Sequence, residues 1–141
     1  AWAAQAGGTS GVLWGAALTS AGKRLGDNGT PTSRDIADAV AAGYTAMLDL
    51  GGAQLGDKTM LDAIGPFSDA LTVAVDRCPD WRAAWRESAE IAAKSAAATA
   101  DMVPKVGRAR PLAERSVGTP DAGATSFALC VTTIVDLLAI H

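Results

Sequence analysis

The sequence predicts an all-α fold, an antiparallel helical bundle or barrel, on three observations. Alanine is abundant, apolar residues recur at spacings of three and four, and Gly, Pro and capping residues punctuate the stretches between. Such spacing places apolar side chains on one stripe of a helix, and stripes of this kind are stable only when packed against each other.

Five full helices are expected. The first runs from about Ser10 to Arg24, opened by Gly7-Gly8 and a Thr9 or Ser10 hydroxyl. Gly26-Asp27-Asn28-Gly29-Thr30-Pro31 forms a turn-rich loop. Thr32 or Ser33 opens the second helix, with Asp35 in its first turn, Ile36, Val40, Tyr44 and Met47 on one face, and a stop at Gly51-Gly52.

The third runs from about Asp57 to Cys78, with Asp57 as its cap and Lys58 solvated or paired. Met60, Ile64, Phe67, Leu71 and Val75 are in register along it, and Pro66 removes one N–H and should bend it. Pro79-Asp80 opens the fourth helix, lined by Trp81, Trp85, Ser88, Ile91, Ala92 and Ser95 and ended by Pro104. The last, about Ala124 to Ile140, carries Phe127, Ala128, Val131, Ile134, Val135 and Leu138. Residues 104–120 between these two are rich in Pro, Gly and basic side chains, and are either a mobile functional lid or an inert linker.

With 141 residues, one domain spanning 1–141 is expected. Apolar residues make up 49% and charged residues 19%, without an apolar run near the ~20 residues of a membrane span, so the chain reads as soluble. A net charge of −3 argues against nonspecific nucleic-acid binding. Locally, Lys105, Arg108, Arg110 and Arg115 stand against Glu114 alone, a balance suited to a small polyphosphate. Cys78 and Cys130 lack zinc-site spacing and are expected as reduced, buried thiols, which favours the cytoplasm. No signal peptide is visible, and His141 reads as an appended residue as readily as a functional one. The tryptophans, Trp2, Trp14, Trp81 and Trp85, read as core packing.

Three segments carry chemistry: Gly7-Gly8-Thr9-Ser10-Gly11, Gly56-Asp57-Lys58-Thr59-Met60, and Gly107-Arg108 leading to Asp121-Ala122-Gly123-Ala124-Thr125-Ser126. Each sets small or charged residues at a helix boundary, where free backbone N–H groups can meet an anion. Together they suggest a nucleotide site, although each is also compatible with ordinary capping. Gly51-x-x-x-x-Gly56-Asp57-Lys58-Thr59 approaches a phosphate-binding P-loop, but Asp57 interrupts the Gly-Lys step and no strand precedes it, so that reading is rejected. One Asp near one helix end makes no metal site.

These segments, with Asp62, Pro66, Gly107-Arg108-Ala109 and Glu114-Arg115-Ser116, follow the order and spacing of a known family. Over nearly its whole length the chain resembles the dihydroxyacetone kinase L domain, the nucleotide-binding domain of dihydroxyacetone (glycerone) kinases and related ketose kinases. The resemblance implies an antiparallel barrel of eight amphipathic helices, present here in part, holding ATP or ADP and magnesium at one end. It implies that Thr9 and Ser10 bind phosphates, that Gly51 and Met60 line the adenine pocket, and that Arg108 reaches from the lid to the phosphates. Asp121, Ala122 and Gly123 would close the nucleotide side. The partners implied are the nucleotide and a ketose-binding domain or subunit, with neither nucleic acid nor membrane and with a homodimer as an option.

Two departures stand out. The family has Pro where Ala122 stands, and Tyr-Leu-Gly where this chain has Pro111-Leu112-Ala113. The family's magnesium ligands lie in an Asp-rich loop before the Gly-Gly-Thr-Ser-Gly segment, so Ala1 is expected to follow roughly seventy residues of the family domain. No catalytic or metal residue is assigned within 1–141, and the isolated chain is expected not to catalyse phosphoryl transfer. The functions open at this stage are an ATP-dependent ketose kinase, the ADP-binding subunit of a phosphotransferase-system dihydroxyacetone kinase, and a non-catalytic helical dimerisation module.

Overall fold

A computed structural model describes residues 8–26, 29–51, 53–103 and 117–140, with side chains within 12–137. The described residues form five α-helices, α1 (Gly8–Leu25), α2 (Ser33–Gly51), α3 (Leu61–Arg77), α4 (Trp81–Ala98) and α5 (Ala122–Ile140), and no strand. The all-α expectation holds. The chain divides into two compact units, Ala1–Gly52 and Ala53–His141.

In the first unit α1 packs against α2, as a short connection between helices favours. Thr32 and Asp35 close the N-terminus of α2 reciprocally: Asp35 N–H donates to Thr32 Oγ1 at 3.1 Å, and Thr32 N–H donates to Asp35 Oδ2 at 3.0 Å. Hydrogen bonding to the carboxylate, from the Thr32 backbone N–H first and the Thr32 side chain second, holds the Asp35 carboxyl below its ordinary pKa. The buried line of α2 is Ala37, Ala39, Gly43 and Met47, whereas Ile36, Val40 and Tyr44 are half-buried. The expected stripe is thus rotated toward small residues. A Cβ on Gly43 would lie 3.2 Å from Ala17 O, so the closest part of this helix pair tolerates no bulk. Arg24 and Arg34 both pair with Asp38, at 3.0 and 3.4 Å, on an exposed face where such pairs add little stability.

In the second unit α3, α4 and α5 pack together. Phe67 stands at the middle of this core, edge-on to Trp85 (centroids 4.9 Å apart) and to Phe127 (5.5 Å). The Trp85 indole N–H donates to Val131 O at 2.8 Å, satisfying its polar tip against α5. Leu61, Ile64 and Leu71 of α3 and Val131 and Val135 of α5 are buried as well. The inner face of α4 is made almost wholly of alanine: Ala84, Ala89, Ala92 and Ala96 are buried with Ser88 among them. Trp81, Ile91 and Ser95, expected on that face, are half-buried, as is Val75 on α3, while Ile134 on α5 is exposed. The helix α5 continues through the β-branched run Val131–Val135, where packing of Val131 and Val135 in the core outweighs weak helix propensity.

Asp80 caps α4 as expected, accepting from Arg82 N–H at 3.0 Å. That helix ends earlier than Pro104, passing at Ala98 into a 3₁₀ turn, Thr99–Asp101. Pro66 lies inside α3, which is continuous across it. Both cysteines are free, but neither is buried: Cys78 caps the C-terminus of α3 and is half-exposed, and Cys130 lies on the outward side of α5 beside buried Val131. No described helix is long and apolar enough to cross a membrane.

Candidate functional site

The Gly-Asp-Lys-Thr-Met segment forms a loop before α3 rather than its first turn. Asp57 does not cap the helix. Its carboxylate instead accepts from Gln54 N–H at 2.9 Å, closing the start of the loop. Asp62, inside the first turn of α3, reaches back to accept from Gly56 N–H (2.6 Å) and Thr59 N–H (2.9 Å). Thr59-x-x-Asp62 has the spacing of a capping box, and a buried carboxylate with two backbone donors fixes the loop's curvature. Gly56 (φ 95°) and Lys58 (φ 60°) both take the left-handed conformation inside this turn.

Lys58 is neither a surface residue nor solvated. Its side chain is buried, with Nζ donating to Thr119 O at 2.7 Å. The residues after Thr119 lead into α5. Asp121 accepts from Ala124 N–H through Oδ2 at 2.8 Å, and its carbonyl accepts from Thr125 N–H and Thr125 Oγ1. Asp121 N–H in turn donates to the buried Thr99 Oγ1 at 2.8 Å, and Gly118 N–H donates to Ala100 O at 2.6 Å. The segment before α5 is therefore held by the end of α4 on one side and by Lys58 on another.

This arrangement brings three of the expected site residues together. A Cβ on Gly123 would lie 3.2 Å from the Met60 Cβ and 3.2 Å from Asp121 Oδ2, so Met60 packs directly on the glycine at the first turn of α5. Ala122 is the exposed first residue of that helix. The start of a helix beside an adaptable thioether sets polar backbone groups and an apolar surface in one place.

The other expected residues are placed separately. Gly51 ends α2, where a Cβ would lie 2.9 Å from Leu13 Cδ2. Thr9 and Ser10 belong to the first turn of α1, and their side chains lie outside the described set. Arg108 and most of the expected lid, 104–116, also lie outside the described residues. Three residues that hold the site, Lys58, Asp62 and Thr99, were not assigned to it from sequence. Only Asp62 carries a local signal, the Thr-x-x-Asp spacing; the partners of Lys58 and Thr99 are 61 and 22 residues distant. Among the described residues no group of three His, Cys, Asp or Glu side chains is gathered for a metal ion.

Comparison with known proteins bears on what this geometry serves. A family model described as the DAK2 domain matches residues 1–136. A D-erythrulose kinase of Mycolicibacterium smegmatis is 60% identical over 99% of the chain, and an L-erythrulose kinase of Pectobacterium atrosepticum 48% identical over 98%. The chain spans about a quarter of either kinase, 24% and 23% of their lengths. The ADP-binding subunit of a PEP-dependent dihydroxyacetone kinase of Escherichia coli is 32% identical over 85% of the chain, which spans 57% of that subunit.

Proposed function

The chain belongs to the DAK2 domain family, and we propose that it is the nucleotide-binding domain of an ATP-dependent ketose kinase. In that enzyme the γ-phosphoryl of Mg-ATP passes to a primary hydroxyl of a small ketose held by a separate domain or subunit. The observation that carries the reading is the packing of Met60 on Gly123 beside Asp121, which joins two of the segments assigned to nucleotide at one helix start. Erythrulose is favoured over dihydroxyacetone as substrate class, because the relatives at 60% and 48% identity are erythrulose kinases.

On this reading Met60 offers an apolar surface to the adenine, and Gly51 keeps the adenine-pocket role that the family resemblance implies. Asp121, Ala122 and Gly123 bound the nucleotide at the first turn of α5, the Asp121 N–H being held by Thr99 and the Ala122 and Gly123 N–H groups needing no side chain. Thr9 and Ser10 meet the phosphates at a helix start, and Arg108 supplies positive charge to them. Magnesium neutralises phosphate charge in such transfers. The described residues do not gather a ligand set for it, so no step of this chain is routed through the ion. The chain's own contribution is positioning and electrostatic complementarity, and the 141 residues alone bind nucleotide without turning it over.

Titrating the full-length protein carrying this sequence with ADP in the presence of magnesium tests the reading by calorimetry. Saturable binding is expected, and Arg108→Ala should weaken it about tenfold, the scale of one charge-assisted contact to phosphate. Absence of saturable binding would leave the helical dimerisation role. The similarity to the Escherichia coli ADP-binding subunit supports a second reading, in which ADP is retained and rephosphorylated by a carrier protein. Stoichiometric consumption of free ATP with erythrulose, and none without a ketose, would exclude it.

A further inference from the structure

We infer that Lys58 is a positioning residue that sets the register of the 53–60 loop against the start of α5, the face assigned above to nucleotide; the inference rests on that assignment. Lys58 combines two unfavourable features at one position. Its backbone is left-handed, at φ 60°, a conformation that a side chain with a Cβ avoids. Its side chain is only 3% exposed, so an ammonium has been withdrawn from water.

Neither feature is needed to shape the loop itself. The Asp57 carboxylate on Gln54 N–H, and the Asp62 carboxylate on Gly56 and Thr59 N–H, already close the turn from within. What Lys58 adds is reach across the sequence, through the 2.7 Å bond from Nζ to Thr119 O. The bonds from Gly118 N–H to Ala100 O and from Asp121 N–H to Thr99 Oγ1 tie that segment to the end of α4, and the Lys58 bond ties it to the 53–60 loop. A long, flexible side chain carrying three donors suits a distant backbone carbonyl.

The contact whose register is set lies close on both sides. Met60 is two residues beyond Lys58, and Gly123 four beyond Thr119, with 3.2 Å between the Met60 Cβ and the place a Gly123 Cβ would take. A displacement at the Lys58–Thr119 bond is passed along stiff chain to the surface on which the base would rest. Lys58 does not touch the nucleotide in this scheme; it acts through Met60 and Gly123.

Two variants of the full-length protein separate this role from simple stability. Lys58→Met keeps an unbranched side chain one atom shorter and removes the donor, and Lys58→Gly removes the donor while relieving the left-handed backbone. The measurements are amide hydrogen exchange over 117–124 and ADP affinity by calorimetry. Both variants are expected to exchange faster over 117–124, with 81–98 unchanged, and to bind ADP about tenfold more weakly. Lys58→Arg, which retains a charged donor, is expected to recover most of the affinity. A residue serving stability alone would leave Lys58→Gly with ordinary ADP affinity, and that result overturns the inference. Unchanged exchange over 117–124 in both donor-less variants overturns it as well. Should the unaltered protein fail to bind ADP while exchange still responds to Lys58→Met, the register role stands and the nucleotide assignment falls.

Discussion

A methyl group on Gly123 would meet the Met60 Cβ and Asp121 Oδ2, each at 3.2 Å, the first fixed to its backbone and the second held by Ala124 N–H. Gly123→Ala is therefore expected to push Met60 away from the start of α5, costing about 1–3 kcal/mol of stability by chemical denaturation and weakening ADP binding in the same protein. Thr99 is the counterpart on the α4 side: its hydroxyl donates to Ala96 O and accepts from Asp121 N–H. In Thr99→Val the part-buried Asp121 N–H loses its acceptor, and a loss of about 1–3 kcal/mol is expected. Met60, Asp121 and Gly123 stand in short segments that the sequence singles out, and their assignment to nucleotide rests on the family resemblance. The contacts of Thr99 and Lys58 were not legible, because they come from partners that folding brings from far along the chain. Local propensity could only read Lys58 as a polar residue near a helix start, whereas it is buried with its Nζ on Thr119 O.

Helix boundaries are where side chains compete with the backbone for the same hydrogen bonds. The third helix begins at Leu61 and not at Asp57 because Asp62 draws Gly56 and Thr59 N–H into a turn that helical geometry would not allow. Sequence periodicity registers the apolar residues of that helix but cannot choose between two aspartates as its organiser. Asp80, by contrast, follows Pro79 and was legible as a cap, whereas the sequence left Thr32 and Ser33 as alternatives and the pairing of Thr32 with Asp35 is seen only in the structure. Asp80→Ala should cost about 1 kcal/mol in urea unfolding. The Asp35 effect carries a pH signature. Its folded pKa lies below the unfolded value, so its stabilisation is complete above about pH 4 and is lost as pH falls through the folded value. Melting temperatures followed by circular dichroism should thus drop more steeply on acidification in the unaltered chain than in Asp35→Asn.

At the scale of the whole molecule, helical class was legible because the three-and-four spacing runs through every segment, whereas the exact buried face was not. Periodicity points to the largest apolar residues, yet the close approach of α1 and α2 selects Gly43 and alanine instead. In the second unit the rings of Phe67, Trp85 and Phe127 do the opposite and concentrate apolar volume at one point. Phe67→Ala removes the shared member of both ring pairs and should cost about 3–5 kcal/mol, with Trp85 fluorescence reporting the transition. The alanine face of α4 has a different outcome for how this sequence can vary. A leucine core can lose a methylene and survive, but Ala84, Ala89, Ala92 and Ala96 have nothing left to shed and no room to grow. Under random mutagenesis with selection for folded protein, these sites should stay fixed while Arg82, Arg86, Glu90 and Lys94 on the outer side drift freely, leaving a helix that diversifies on one flank alone.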